Sequence, residues 1–175
     1  MANTNAPYGF RLWTRLNAGT GAIATAPGAA AGGTYASSGQ IPVASATTLH
    51  VGDPIRLTQG LGLLATGTYA ISYICNSPVP GYGETAVQKH YPELLPADDQ
   101  TIFRCQSIGT VNVTQGYIGV KSKGRAIGGT TSGYTGIGLS TSGALQVVAL
   151  APGSAFGTYA ELLVMVTRGT FYGAP

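Results

Sequence analysis

No stretch of a dozen residues in this chain repeats its apolar side chains at the i, i+3, i+4, i+7 spacing of a helix without a Gly or Pro intervening. Short runs rich in Val, Ile, Thr and Tyr recur instead, at residues 40–44, 54–57, 69–75, 101–106, 117–120, 144–150 and 162–167. Gly, Pro, Asn and Asp punctuate them, as in Gly52-Asp53-Pro54, Pro80-Gly81-Tyr82-Gly83 and Pro152-Gly153. Many short strands at close spacing predict an all-β protein whose body is an antiparallel β-sandwich or barrel.

Three regions differ in character. Residues 1–16 read as an extended N-terminal arm. Pro7 and Gly9 keep it from starting a helix, yet it gathers Tyr8, Phe10, Arg11, Arg15 and the only tryptophan, Trp13. Aromatic and Arg side chains of this kind anchor interfaces. The residues alone leave two readings open: an arm that docks on a partner, or a first strand packed on its own core. Residues 17–39 are rich in Gly, Ala, Thr and Ser, the composition of a linker or long surface loop. Residues 40–175 form the β-rich body, with a long loop at 76–100 that holds four of the ten prolines.

Charge narrows the function. Charged residues make up 9% of the chain, against roughly 25% in an average globular protein. A free-standing enzyme keeps its surface soluble with mixed charge; this composition suits a surface covered by partners, or a secreted β-protein. The net charge of +3 is scattered rather than gathered into a basic stripe, which speaks against direct nucleic-acid binding. No apolar run approaches the ~18 residues of a membrane span. The first residues lack the basic and apolar regions of a secretory signal, so synthesis in a reducing cytosol is expected, with Cys75 and Cys105 as buried thiols.

Candidate chemistry is sparse. His50 and His90 are the only histidines, and no nucleophile motif accompanies them. Glu84, His90, Glu93, Asp98 and Asp99 share one segment but match no metal-loop spacing, and Asp98-Asp99 reads as the end of a loop ahead of a strand. Glu84 and Glu161 could pair as glycosidase carboxylates only if the fold brought them together. No catalytic residue, metal or cofactor is assigned, and the chain is read as a non-enzyme.

Several segments resemble one family. Asn5-Ala6-Pro7-Tyr8-Gly9-Phe10-Arg11 is similar to the start of the small proteins encoded beside the major capsid protein in many tailed phages, which typically begin Met-Ala-Asn and continue Asn-Ala-Pro-Phe-Gly-Phe-Arg-Pro. Ile41-Pro42-Val43-Ala44-Ser45 and Val51-Gly52-Asp53-Pro54-Ile55-Arg56-Leu57 resemble the family's strand, spacer and Gly-Asp-Pro-Val turn. The segments Asp98-Asp99-Gln100-Thr101-Ile102-Phe103-Arg104-Cys105-Gln106 and Tyr159-Ala160-Glu161-Leu162-Leu163-Val164-Met165-Val166 resemble its later strands. The departures are Leu12 where Pro is usual, the insert at 17–39, and the end Arg168-Gly169-Thr170-Phe171-Tyr172.

The resemblance is to head decoration, or cement, proteins. It implies a homotrimer on the outer capsid surface of the virion, made in the host cytoplasm and bound to the major capsid protein shell, which it stabilises. The residues expected to contact that partner are Pro7, Tyr8, Phe10, Arg11 and Trp13. The alternatives are a carbohydrate-binding or adhesin-like β-sandwich and another virion or tail structural protein.

Overall fold

The clearest alternation in the sequence builds the middle of the largest sheet. In Glu161–Val166 every second residue, Leu162, Val164 and Val166, points inward, and Glu161, Leu163 and Met165 point outward. In Thr101–Gln106 the inward pair is Phe103 and Cys105. The two strands lie antiparallel in a register that sets Leu162 opposite Cys105 and Val164 opposite Phe103.

The computed structural model describes residues 3, 8–15, 41, 43, 49–67, 69–76, 94–120, 124–127, 135–139 and 143–167; the side chains of residues 15, 124–127 and 139 are not among those described. Its strands in chain order are β1 (Arg11–Arg15), β2 (Pro54–Thr58), β3 (Leu61–Leu64), β4 (Tyr73–Cys75), β5 (Leu94–Pro96), β6 (Thr101–Gln106), β7 (Gly124–Ile127), β8 (Gly136–Leu139), β9 (Leu145–Leu150) and β10 (Glu161–Val166). No α-helix occurs among the described residues. The protein is all-β, built from two antiparallel sheets: six strands in the order β1-β6-β10-β9-β7-β8, and four in the order β3-β2-β4-β5.

The larger sheet curls. Past the end of β6, Ser107 forms a parallel bridge to Ile137 of β8, and the Ile108 N–H donates to the Ile137 carbonyl at 3.0 Å. The last strand of the sheet thus returns to its second, giving the sandwich a barrel-like end. Phe103, Cys105, Leu145, Val147, Leu162 and Val164 from this sheet share one core with Ile71, Ile74 and Ala97 from the region of the smaller sheet. The other face of the smaller sheet has its own cluster, Ile55, Tyr73, Cys75 and Leu94, covered by Val43 and Leu49. The strand β4 faces both ways: Tyr73 and Cys75 into the second cluster, Ile74 into the first.

Local sequence explains the turns. Gln59 and Gly60, at φ 52° and 78°, make the two-residue hairpin between β2 and β3. Asp98 closes the approach to β6, its Oδ1 accepting from the Thr101 hydroxyl at 2.5 Å and the Gln100 N–H at 3.2 Å.

Some expected elements change. Residues 117–120 are not a strand: Gln115–Tyr117 is a 3-10 turn, closed by the Tyr117 N–H on the Thr114 carbonyl and the Ile118 N–H on that of Gln115. Gly119, at φ 80°, turns the chain so that its N–H reaches the Val147 carbonyl. The strand expected at 69–75 is shortened to β4. The loop expected at 76–100 contains β5; residues 77–93 lie outside the described residues, as do 17–40 and most of the strand expected at 40–44. Val43 does bridge in parallel to Gly62.

Neither cysteine is in a disulfide, and each lies in a different core cluster. Burial holds the Cys105 thiol well above its usual pKa, keeping it neutral and unreactive. The folded protein should therefore react only slowly with a thiol reagent, and the denatured, non-reduced protein should give two thiols per chain. A count of zero after denaturation would show that the cysteines pair elsewhere.

Candidate functional site

Two of the short motifs in the sequence meet in space. Gly9 and Gly52 both have left-handed backbones, φ 75° and 92°, and they touch main chain to main chain. A Cβ on Gly9 would lie 2.9 Å from the Cα of Gly52, and one on Gly52 would lie 2.8 Å from the Phe10 nitrogen. Only glycine allows both the conformation and the approach. The Phe10 N–H donates to the Gly52 carbonyl at 2.8 Å, and the Gly52 N–H donates to that of Cys75 at 2.7 Å.

Asp53 locks the second half of this clasp. Its N–H donates to the His50 carbonyl at 3.0 Å, closing the turn. Its carboxylate, 3% exposed, accepts from the His50 N–H at 2.8 Å and the Thr135 hydroxyl at 2.6 Å, with His50 Nδ1 at 3.5 Å. Each carboxylate oxygen has a donor, as a buried charge requires. His50 and Asp53 thus hold the start of β2 to the start of β8.

From the clasp the chain enters β1, which pairs with β6. Phe10 drops into the core, 2% exposed, edge-on to Phe103 with ring centroids 6.5 Å apart. Arg11, the next residue, stays at the surface. Arg104 lies between the inward Phe103 and Cys105 and so faces out, forming an ion pair with Glu161. The Trp13 ring lies 5.6 Å from the Arg104 guanidinium, and the Arg11 guanidinium sits 4.5 Å above the Tyr8 ring. Tyr8, Arg11, Trp13, Arg104 and Glu161 make one outer face where β1, β6 and β10 run side by side.

Electrostatics follow from the packing. The Tyr8 hydroxyl is buried beside the Arg104–Glu161 pair but aligned with neither. Burial first, and then the charge of Glu161, push its pKa up to about 12, so the phenol is neutral. The hydrogen bond that Arg104 itself donates to Glu161 raises the pKa of Arg104, which is a permanent cation. At the far end, the amide of Asn3 spans the turn between β9 and β10. Its Nδ2 donates to the carbonyls of Ala155 at 2.9 Å and Thr158 at 3.0 Å, and its Oδ1 accepts from the Ala155 N–H at 3.1 Å.

The five expected contact residues therefore divide. Tyr8, Arg11 and Trp13 come together on this face, with Arg11 exposed and the two aromatics half-buried. Phe10 does not join them: its ring fills the chain's own core. Pro7 lies outside the described residues. Of residues 1–16, read as an arm that docks on a partner or as a first strand, 8–15 run beside the body: β1 pairs with β6 and Phe10 bonds to Gly52. Sequence reasoning missed Arg104 and Glu161 as members of the face. Strand alternation around Phe103 and Leu162 marks both as outward, but register brings them together.

Other candidates resolve differently. Glu161 is engaged by Arg104, and Glu84, His90 and Glu93 lie outside the described residues. Among the described residues, no three His, Cys, Asp or Glu gather as a metal site would require. Ser154 sits in a turn with its Oγ accepting the Glu161 N–H at 2.9 Å. Among the described residues no helix is long and apolar enough to cross a membrane. Comparison with protein-family models, curated proteins and solved structures finds no match.

Proposed function

We propose that this chain is a non-enzymatic decoration protein of a tailed-phage head, binding the outer surface of the major capsid protein shell and stabilising it as a homotrimer. The observation that carries the reading is the outer face of β1 and β6, where Tyr8, Arg11 and Trp13 stand together on a sheet. These are the residue types that dominate binding energy at interfaces. A sheet clamped by the Gly9–Gly52 clasp and the Asn3 staple loses little freedom on docking, so more of the contact energy survives as affinity. The family resemblance supplies the identity of the partner, and the sparse charge of the chain suits a surface covered in an assembly.

The mechanism is burial. Each copy adds interface across neighbouring shell subunits and opposes their separation, and repeated copies multiply modest contacts. Nothing in this role calls for a cofactor, a nucleic acid or a membrane.

Co-sedimentation with undecorated shells of the phage that encodes the chain tests the reading. The protein should pellet with shells and raise the temperature at which they break open, and light scattering should give about three times the chain mass of 17.7 kDa. Failure to bind such shells, together with retention on a glycan array, would favour the carbohydrate-binding alternative, for which Trp13 beside the Arg104–Glu161 pair would be the stacking platform. Failure on both, with the protein found in the tail of purified particles, would favour a tail component.

A further inference from the structure

We infer that Arg11 is a carboxylate-binding site, poised to take an Asp or Glu side chain presented by the shell protein; this rests on the capsid reading and names the chemistry of its contact. The register of the sheet sets Arg11 directly opposite Arg104. Like charges facing each other across a strand pair destabilise a sheet, so such a pair needs counter-charge. The described residues supply only half of it. Arg104 is ion-paired with Glu161, whereas no carboxylate among the described residues pairs with Arg11, which is exposed.

Arg11 is nonetheless held in place. Its guanidinium lies over the Tyr8 ring, 4.5 Å from the centroid, and Tyr8 is itself half-buried against the Arg104–Glu161 pair. Contact with a ring face uses none of the guanidinium's N–H donors on a carboxylate, and that donor fork is the group that grips a carboxylate with two parallel hydrogen bonds. Trp13, half-buried against Arg104 on the same face, offers an apolar surface to exclude water once a partner arrives. The orphan charge thus points to a partner carrying the missing negative charge.

The occupant is a discrete carboxylate on a protein and not a nucleic-acid backbone. Glu161 stands within the same cluster and repels a polyanion, and the chain has no basic stripe along which successive phosphates could lie.

The test compares wild type with Arg11→Lys, Arg11→Gln and Arg11→Glu in binding to undecorated shells. Wild-type binding should weaken as ionic strength rises about tenfold, because an exposed pair is screened. Arg11→Gln should bind roughly tenfold more weakly and lose most of that salt dependence, and Arg11→Glu should be weaker still. Arg11→Lys should fall between, keeping the charge and losing the fork. Melting temperatures should shift by only a few degrees, since Arg11→Gln and Arg11→Glu lose the contact with Tyr8 and relieve the repulsion of Arg104 together, and duplex DNA should not compete. Gln and Glu variants that bind like wild type, with the same salt dependence, would overturn the inference and leave the capsid reading standing. Competition by DNA would overturn the carboxylate assignment. A wild-type protein that does not bind shells would overturn the capsid reading and the inference with it.

Discussion

Gly52→Ala is expected to lower the melting temperature by roughly 6–12 °C, from a loss of about 3 kcal/mol at about 2–4 °C per kcal/mol for a chain of this size. Two costs add. An Ala held at φ 92° is strained by about 1–2 kcal/mol. Its Cβ would also lie 2.8 Å from the Phe10 nitrogen and 2.9 Å from the Gly9 Cα. Those are main-chain atoms, so no rotamer change relieves the overlap, and overpacking of this kind costs about 1–3 kcal/mol. Gly9→Ala should behave similarly, since it meets the same backbone from the other side at φ 75°. Gly60→Ala is the control. Its φ of 78° carries the same conformational strain, but nothing lies within 4 Å of its Cβ, so its loss should stay near about 1–2 kcal/mol. Calorimetry on the three variants separates strain from contact: equal melting of Gly52→Ala and Gly60→Ala would mean that the Tyr-Gly-Phe and Val-Gly-Asp-Pro segments do not touch.

The clasp also shows what a sequence can and cannot disclose. β6, β9 and β10 were legible because alternation survives in them: Phe103 and Cys105, Leu145 and Val147, Leu162 and Val164 recur at period two with bulky side chains. β3, β7 and β8 were not, because Leu61-Gly62, Gly124 and Gly136-Ile137-Gly138 remove side chains from the pattern and read as loop. Residues 117–120 failed in the opposite sense. Tyr, Ile and Val have strand propensity, but the neighbouring glycines let the chain turn and that propensity yields to context. The unusual composition of residues 8–13 marked them as important without saying to what they bind. Phe10 and Arg11 are adjacent, and one ring fills the core while the other side chain is exposed; strand parity decides this, and the position of a strand's first residue is the least legible thing about it. The Arg104–Glu161 pair depends on a register across 57 positions that no local pattern encodes.

Phe10→Ala and Trp13→Ala should fail in different assays, and the contrast separates fold from interface within four residues. Phe10 is 2% exposed and packs edge-on against Phe103 in the shared core. Truncating a buried Phe costs about 3–5 kcal/mol, because the cavity is lined by atoms that relax only in part. That corresponds to a fall of roughly 6–20 °C in melting temperature. A chain lacking residues 2–15 should lose this and the β1 ladder as well, so the body is not expected to keep its full stability without them. Trp13 lies half-buried on the outer face against Arg104, a contact worth about 0.5–1 kcal/mol to the fold at an exposed site. Its removal should shift melting by only a few degrees while weakening binding to undecorated shells roughly tenfold or more, as the loss of an aromatic anchor does. Melting curves and co-sedimentation on the same two proteins decide the matter. A Phe10→Ala protein that melts like wild type and no longer binds shells would return Phe10 to the contact surface and unmake the core built around Phe103. A Trp13→Ala protein that binds at full strength would move the interface off the β1–β6 face, leaving the arginine pair there as a feature of the fold alone.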